Sequence, residues 1–252
     1  MRLPRRLRHG EEASLVEHLD ELRTRLIISL VAVGIGFVVA FVFHEHLIDW
    51  LRGPLPDDRR LVTLGVTEPF TTSIKVSFYA ALALAFPVLV WQIWSFLAPA
   101  LDERTQRVVV AFVAMATGLF ALGLAFAYFV VMPKAISFLT NYDERLYDVQ
   151  VRASYYFSFV ALTMLAIALV FELPIFVLAL VRLGVLTTTR LRQNRRVAYV
   201  LLVAFAVLLP TVDPVSLLFE SVPLLVLYEL SIWLSVFMER RWRRAEAQLA
   251  SQ

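Results

Sequence analysis

Long apolar runs, separated by short polar or proline-containing segments, dominate this chain. Runs long enough to cross about 30 Å of hydrocarbon lie at 26–43, 76–96, 108–132 and 155–181. Two further runs, 197–209 and 215–237, are separated by Pro210-Thr-Val-Asp213-Pro214 and predict a tight helical hairpin, with Asp213 as the cap of its last helix. The pattern predicts an all-α, polytopic membrane protein, with six transmembrane helices in one domain spanning residues 1–252.

The last two helices are predicted to be short. The run 197–209 holds about thirteen residues, which at 1.5 Å each reach only about 20 Å. A soluble core helix is the alternative for so short a run, but the basic residues before it and the apolar run after it favour a short span. Such a span thins the bilayer or packs behind its neighbours.

Prolines inside apolar runs predict kinked helices and a concave wall rather than a straight bundle. They are Pro87, Pro174 and Pro223. The polar segments 44–72 and 133–154 are long enough to carry short helices, and we expect them to form a cap on one side of the membrane.

Basic residues collect on one side of the membrane if the spans alternate. That side receives the arginines of 2–25, Arg104, Arg107, those of 182–196 and those of the basic tail 239–252. By the positive-inside rule both termini are cytoplasmic. Topology thus accounts for the net charge of +3, and no nucleic-acid partner is expected. With 60% apolar residues, the surroundings of most of the chain are the lipid bilayer.

The chain lacks the residues or motifs that several kinds of chemistry require. The chain has no cysteine, so thiolate metal sites and cysteine nucleophiles are excluded. No Gly-x-x-x-x-Gly-Lys-[Ser/Thr] loop is present, so no nucleotide site is visible. The four histidines are not spaced as metal ligands and fit membrane-interface positions better. We expect no cofactor, no metal and no enzyme activity, with energy supplied from elsewhere.

The segment 14–25 predicts an amphipathic helix before the first span. Ser14 and Glu17 form a capping box. Leucines line one face of this helix, whereas Glu17, Asp20 and Glu21 occupy the opposite arc. Two interpretations stay open. The acids are a solvated face, with Glu21 and Arg25 as an i,i+4 pair, or they are a docking patch for a basic peptide.

Acidic residues also lie inside the apolar runs. Glu172, in Phe171-Glu-Leu-Pro174, is far from either end of its span, where a carboxylate costs about 2.5–3.5 kcal/mol on insertion scales. It is either functional or bonded to backbone groups that Pro174 releases. Glu220 and Glu229, nine positions apart in the last span, point to opposite faces and do not form a carboxylate pair.

The motifs, taken in order, resemble the TatC family of twin-arginine protein translocases from about residue 15 to residue 237. They are His18-Leu-Asp-Glu-Leu-Arg-Thr-Arg-Leu26, Glu68-Pro69-Phe70 with Lys75, Trp94-Ser-Phe-Leu-Ala-Pro-Ala-Leu101, Phe126-Ala-Tyr-Phe-Val-Val-Met-Pro133, Phe171-Glu-Leu-Pro174, and Asp213, Pro223 and Glu229 of the last hairpin. The resemblance implies a multi-pass protein of the bacterial inner (plasma) membrane.

The resemblance also implies a function. TatC proteins recognise folded precursors that carry a twin-arginine signal peptide, bind the single-span proteins TatA and TatB, and use the proton-motive force. We also expect self-association in a larger complex. By the same resemblance, Glu21, Arg23 and Phe96, with the loop that follows, form the signal-peptide site.

One position departs from the family pattern, and three others match it. The family's loop glutamate aligns with Thr105, and Glu103 lies two residues earlier, so Glu103 is a candidate for that contact and the question whether it replaces the glutamate is open. Glu172 matches an intramembrane glutamate linked to partner docking, while Pro54 and Asp213 match structural positions of the cap and of the last hairpin.

The alternative from another functional class is a proton-coupled small-solute transporter in which Glu172 titrates. It predicts a midplane pocket with several polar ligands, whereas the spans are almost uniformly apolar apart from scattered acids.

Overall fold

Helices make up nearly all of the structure. The computed structural model describes residues 15–56, 59–97, 106–142, 145–146, 149–182, 184–207 and 214–250. In chain order the elements are α1 (Leu15–Val42), α2 (His44–Arg52), β1 (Leu61–Val62), α3 (Glu68–Leu97), α4 (Gln106–Phe126), a π-helical turn (Ala127–Val131), α5 (Met132–Asn141), β2 (Val151–Arg152), α6 (Ala153–Val170), α7 (Leu173–Arg182), α8 (Thr188–Gln193), α9 (Arg195–Ala206) and α10 (Pro214–Ala250).

Five helical stretches among the described residues are long and apolar enough to cross a membrane. They are Leu19–Val42, Glu68–Phe96, Val109–Asn141, Ala153–Arg182 and Leu217–Glu239. The chain is therefore an all-α multi-pass membrane protein. Helix α9 has 12 residues, too few to cross about 30 Å of hydrocarbon at 1.5 Å each. The count of six spans stays a prediction, as does the cap at Asp213, which lies outside the described residues.

Helix α1 joins two segments that the sequence analysis described separately. The amphipathic helix and the first apolar run form one continuous helix, Leu15–Val42. At the other end of the chain, α10 continues through the predicted basic tail to Ala250. The Ser14 half of the predicted capping box lies outside the described residues.

The predicted third span, 108–132, is followed without a break by a short helix, which the polar segment 133–154 is long enough to carry. Helix α4, the π-helical turn and α5 form one apolar helical stretch, Val109–Asn141. Pro133 lies in the first turn of α5 and follows the π-helical turn directly. The wider π-helical turn moves the preceding carbonyls away from the proline ring, so the clash that ends an ordinary helix does not arise.

Pro174 interrupts the fourth span, as the sequence predicts. Helix α6 ends at Val170 and α7 begins at Leu173. The N–H of Glu172 in the intervening turn donates to the carbonyl of Leu169 at 3.1 Å. Helices α3 and α10 instead run through Pro87 and Pro223 without a break.

The cap, defined as α2, β1 and β2, is built from the two polar segments that the sequence predicted would meet. Strands β1 and β2 pair in parallel, with Leu61 opposite Val151 and Val62 opposite Arg152. The Glu68 carboxylate, 5% exposed, accepts hydrogen bonds from Arg152 Nε at 2.9 Å and from the N–H groups of Leu64 and Ser154 at 2.9 and 3.2 Å. This hydrogen bond to Glu68 raises the pKa of Arg152. Glu68 thus ties both polar segments to the start of α3.

Two tyrosines from different spans fix the end of α2. The Tyr128 hydroxyl donates to the carbonyl of Trp50 at 2.7 Å, and the Tyr156 hydroxyl donates to the carbonyl of Leu51 at 3.1 Å. The rings of Trp50 and Tyr128 stack 4.0 Å apart. A Cβ at Gly53 would lie 2.5 Å from the Tyr128 hydroxyl oxygen, so glycine is required where the chain leaves α2.

Helix packing places α3 at the centre of one side of the molecule. It packs against α1, α4 and α6, whereas α10 packs against α7 and α9. Helices α4 and α6 approach closely at Gly123, where an added Cβ would lie 2.7 Å from Ala168 Cα and 3.0 Å from Phe171. Stacking of Phe86 on Phe120, with centroids 3.7 Å apart, joins α3 to α4 in the same layer.

We expect Gly123→Ala to lower stability by about 1–3 kcal/mol, because the methyl group would overlap the α6 backbone and force the helices apart. Gly118→Ala on the same helix is the matched control, since a Cβ there meets nothing within 4 Å. Its higher helix propensity should leave stability unchanged or raise it by about 0.5–1 kcal/mol. Midpoints of thermal unfolding in detergent measure both. Equal midpoints would contradict the close approach.

We expect Glu68→Ala to open the cap locally. Removing the acceptor leaves the N–H groups of Leu64 and Ser154 without their partner, and their amide hydrogen exchange should accelerate roughly tenfold or more. The control is Glu45→Ala, which removes an exposed carboxylate from α2. Exchange at these two amides as slow as in the control would rule out the role assigned to Glu68.

Candidate functional site

The predicted signal-peptide residues lie where α1 begins and α3 ends. Glu21 is half-buried on the first turns of α1 and is paired with Arg25, whose Nε lies 3.1 Å from Glu21 Oε1. Arg25 Nη2 donates to the same oxygen. The predicted i,i+4 pair is therefore present, and it leaves Glu21 partly neutralised by its own helix.

Arg25 also reaches the end of α3. Its Nη2 donates to the carbonyl of Ser95 at 2.9 Å, and its Nη1 lies 3.4 Å from the carbonyl of Gln92. Phe96, the next residue after Ser95, is half-buried. The contacts of Arg25 thus place Glu21 of α1 and the last turn of α3, which contains Phe96, at the same end of these two helices.

The end of α3 is held from its other side by α4. Trp94 and Phe112 pack with ring centroids 4.7 Å apart, and Val90 and Val109 belong to the same buried cluster. This packing fixes the two helices that flank residues 98–105. Glu103 and Thr105 lie in that segment, outside the described residues, so the question of which residue replaces the loop glutamate stays open.

Arg23 differs from its neighbours on α1. Its side chain is exposed, and among the described residues no hydrogen bond or ion pair reaches it. Two positions along a helix turn a side chain by about 200°, so Arg23 lies away from the Glu21 and Arg25 contact. Its place in the predicted site stays a prediction.

Glu172 lies in the turn between α6 and α7. The carboxylate is half-buried beside the backbone of Phe120 on α4, and its Oε1 is buried with no hydrogen-bond partner among the described residues. Its backbone is fully used, because its carbonyl accepts from Ile175 and Phe176 at 3.0 Å each. A buried oxygen without a donor is costly, so a donor from outside the chain would be stabilising there.

Two further predicted positions, Pro54 and Asp213, were expected to be structural. Pro54 is half-buried in the turn after α2 and follows Gly53, where an added Cβ would meet the Tyr128 hydroxyl. Its role in shaping the cap stays a prediction. Asp213 lies outside the described residues.

Sequence reasoning missed a polar cluster between α9 and α10. Arg195 Nη2 lies 2.9 Å from Glu229 Oε2, and the Tyr199 hydroxyl donates to Glu229 Oε1. The signal was present in the sequence, because Arg195 and Tyr199 are four residues apart and share a helix face. The length of the apolar run 197–209 does not reveal that Arg195 and Tyr199 share Glu229 as their partner.

The chemistry available at these sites is recognition. The described residues contain no group of three or more His, Cys, Asp or Glu side chains that could hold a metal ion. The Glu21 carboxylate can accept charge-assisted hydrogen bonds from a guanidinium, and the Glu172 carboxyl can take a donor from a neighbouring helix.

Known proteins match this chain along most of its length. The family model described as Sec-independent protein translocase protein (TatC) matches residues 17–223. The chain is 35% identical over 241 residues to the Sec-independent protein translocase protein TatCd of Bacillus subtilis, covering 96% of this chain and 99% of that protein. It is 36% identical over 231 residues to TatC of Deinococcus radiodurans, covering 88% and 86%.

Solved structures extend the likeness to the fold. A crystal structure of the twin arginine translocase receptor TatC superposes with a TM-score of 0.78 at 34% identity, covering 86% of this chain and 99% of that one. A second TatC crystal structure gives 0.76 at the same identity. Since the family model covers most of the chain and the relatives match it nearly end to end, the protein belongs to the Sec-independent protein translocase TatC family and is a component of that translocase.

Proposed function

We propose that this chain is the receptor subunit of a twin-arginine translocase and that it binds the Arg-Arg signal peptides of folded precursors at the end where α1 begins. The observation that carries the proposal is the contact of Arg25 with both Glu21 and the carbonyl of Ser95. It holds a half-buried carboxylate next to the last turn of α3, which carries Phe96.

Charge chemistry supports arginine as the ligand. A guanidinium is planar and offers five donors in a fixed fork, whereas a lysine ammonium is a compact point charge. A carboxylate and the carbonyls at a helix end accept hydrogen bonds from different directions. The several fixed donors of a guanidinium can meet these acceptors better than a single ammonium can. We propose that Glu103 supplies a second carboxylate from the following segment, as the family loop glutamate would.

Orientation and location follow from the charge distribution. We infer that the α1 start and the α3 end face the cytoplasm, that the cap lies outside, and that both termini are inside. The relatives named above are bacterial proteins, which supports the inner (plasma) membrane as the location.

Glu172 is proposed to dock a partner helix. TatA and TatB, the single-span partners of the family, would present a polar group to its buried oxygen, a bond otherwise hard to find in hydrocarbon. Self-association into a larger complex and use of the proton-motive force complete the proposal. None of the relatives reported above is a small-solute transporter, so the alternative has no support from them.

The first test is binding of a twin-arginine precursor to the purified protein in nanodiscs, with an Arg-Arg and a Lys-Lys signal in parallel. We expect Glu21→Ala to weaken Arg-Arg binding roughly tenfold or more, because a charge-assisted hydrogen bond contributes about 1.5–3 kcal/mol. Binding of the Lys-Lys form should be weak and little changed. Glu103→Ala is measured alongside.

The control for this experiment is Asp49→Ala, which removes an exposed carboxylate from α2 in the cap. It should bind the precursor as the wild type does. If Glu21→Ala and Asp49→Ala bind the Arg-Arg form equally well, the site at the α1 start is wrong.

The second test separates binding from transport. We expect Glu172→Ala to capture the Arg-Arg precursor with an affinity within about twofold of wild type, because Glu172 lies deep in the fourth span. Transport in cells should be strongly impaired, since the partner helix loses its acceptor. Export of a reporter cofactor-containing protein and copurification with TatA and TatB measure these effects. Normal export by this variant would contradict the docking role.

A further inference from the structure

Arg25 makes more contacts than a surface ion pair needs. Its guanidinium donates to Glu21 on its own helix and to the carbonyls of Ser95 and Gln92 on α3. The side chain is only 20% exposed. An i,i+4 pair alone contributes a few tenths of a kcal/mol and does not require burial against a second helix.

The α3 contacts hold Arg25 in place independently of Glu21. Helix α3 ends at Leu97, so the carbonyl of Ser95 is among the last four, which lack partners within the helix. A cation at a helix C-terminus is also favoured by the macrodipole. Arg25 therefore caps α3 from the neighbouring helix.

This anchoring determines where Glu21 points. The Arg25 hydrogen bonds reach Oε1 of Glu21, and in the part of the chain that the structure describes no hydrogen bond reaches Oε2. The Glu21 side chain is 23% exposed. The carboxylate is thus held by one oxygen, and the second oxygen is available to a ligand that arrives beside the α3 end.

We propose that Arg25 is a positioning residue of the signal-peptide site: it fixes Glu21 against the end of α3 so that the second carboxylate oxygen accepts the incoming guanidinium. This inference rests on the proposed function. Lysine cannot perform the same role, because an ammonium does not span acceptors on two helices in fixed directions as the arginine fork does.

The test uses Arg25→Gln and Arg25→Lys in the full-length protein, with an Arg-Arg signal peptide as the probe and the Lys-Lys peptide beside it. We expect each variant to weaken Arg-Arg binding roughly fivefold to tenfold and to reduce the preference for Arg-Arg over Lys-Lys. Arg190→Gln is the control. It removes the same charge from the exposed surface of α8 and should leave binding unchanged.

A double-mutant cycle separates positioning from general support. In the Glu21→Ala background, Arg25→Gln should change Arg-Arg binding by less than about twofold, because its effect passes through Glu21. A loss as large as in the wild-type background, or wild-type binding by Arg25→Lys, would overturn the inference.

Geometry gives a second readout. The chain has no cysteine, so Leu22→Cys and Ile93→Cys, both at exposed positions, can be spin-labelled without further changes. The distance distribution between the labels should broaden with Arg25→Gln and stay narrow with Arg190→Gln. An unchanged distribution would also overturn the inference.

Different results would contradict the proposed function and the positioning role of Arg25. If Glu21→Ala does not weaken Arg-Arg binding, the proposed function fails at this site. If Glu21→Ala weakens binding and neither Arg25 variant does, only the positioning role of Arg25 fails.

Discussion

The structure depends on one constraint: a backbone carbonyl in the last turn of a helix has no partner within that helix and needs a donor from elsewhere. This chain meets it with long side chains from other helices. Tyr128 and Tyr156 donate to the end of α2, Tyr228 donates to the carbonyl of Leu191 at 3.0 Å in α8, and Arg25 donates to the end of α3. Each bond both satisfies a carbonyl and fixes one helix against another, so the short helices are held without long apolar interfaces of their own.

The acidic side chains differ in whether the chain itself supplies a partner for their oxygens. Glu68 with Arg152, Glu21 with Arg25, and Glu229 with Arg195 are each paired within the chain. Glu172 differs, because its Oε1 is buried and has no hydrogen-bond donor among the described residues. Since an unsatisfied polar atom costs more in hydrocarbon than at the surface, a donor from the proposed partner helix would be stabilising at this oxygen.

The sequence predicted what depends on local pattern and missed what depends on contacts between distant segments. Run length located the long helices, and Pro174 marked the break between α6 and α7. The π-helical turn before Pro133 could not be predicted, because a local change in helix width leaves no mark in hydrophobic periodicity. Glu21 was correctly paired with Arg25, four residues away, but the bond from Arg25 to Ser95 crosses 70 positions and no periodicity encodes it.

Helix α3 connects the two ends of the molecule. It has 30 residues and is therefore about 45 Å long. Its first residue, Glu68, is tied to Arg152, and its last turn is tied to Arg25. A helix held at both ends and packed along its length against α1, α4 and α6 has little freedom to slide. The place of Phe96 is then set from the cap side as well as from α1, and the proposed signal-peptide site depends on a rigid α3 more than on a deep pocket. A few acceptors at fixed positions are sufficient to distinguish a planar fork from a point charge.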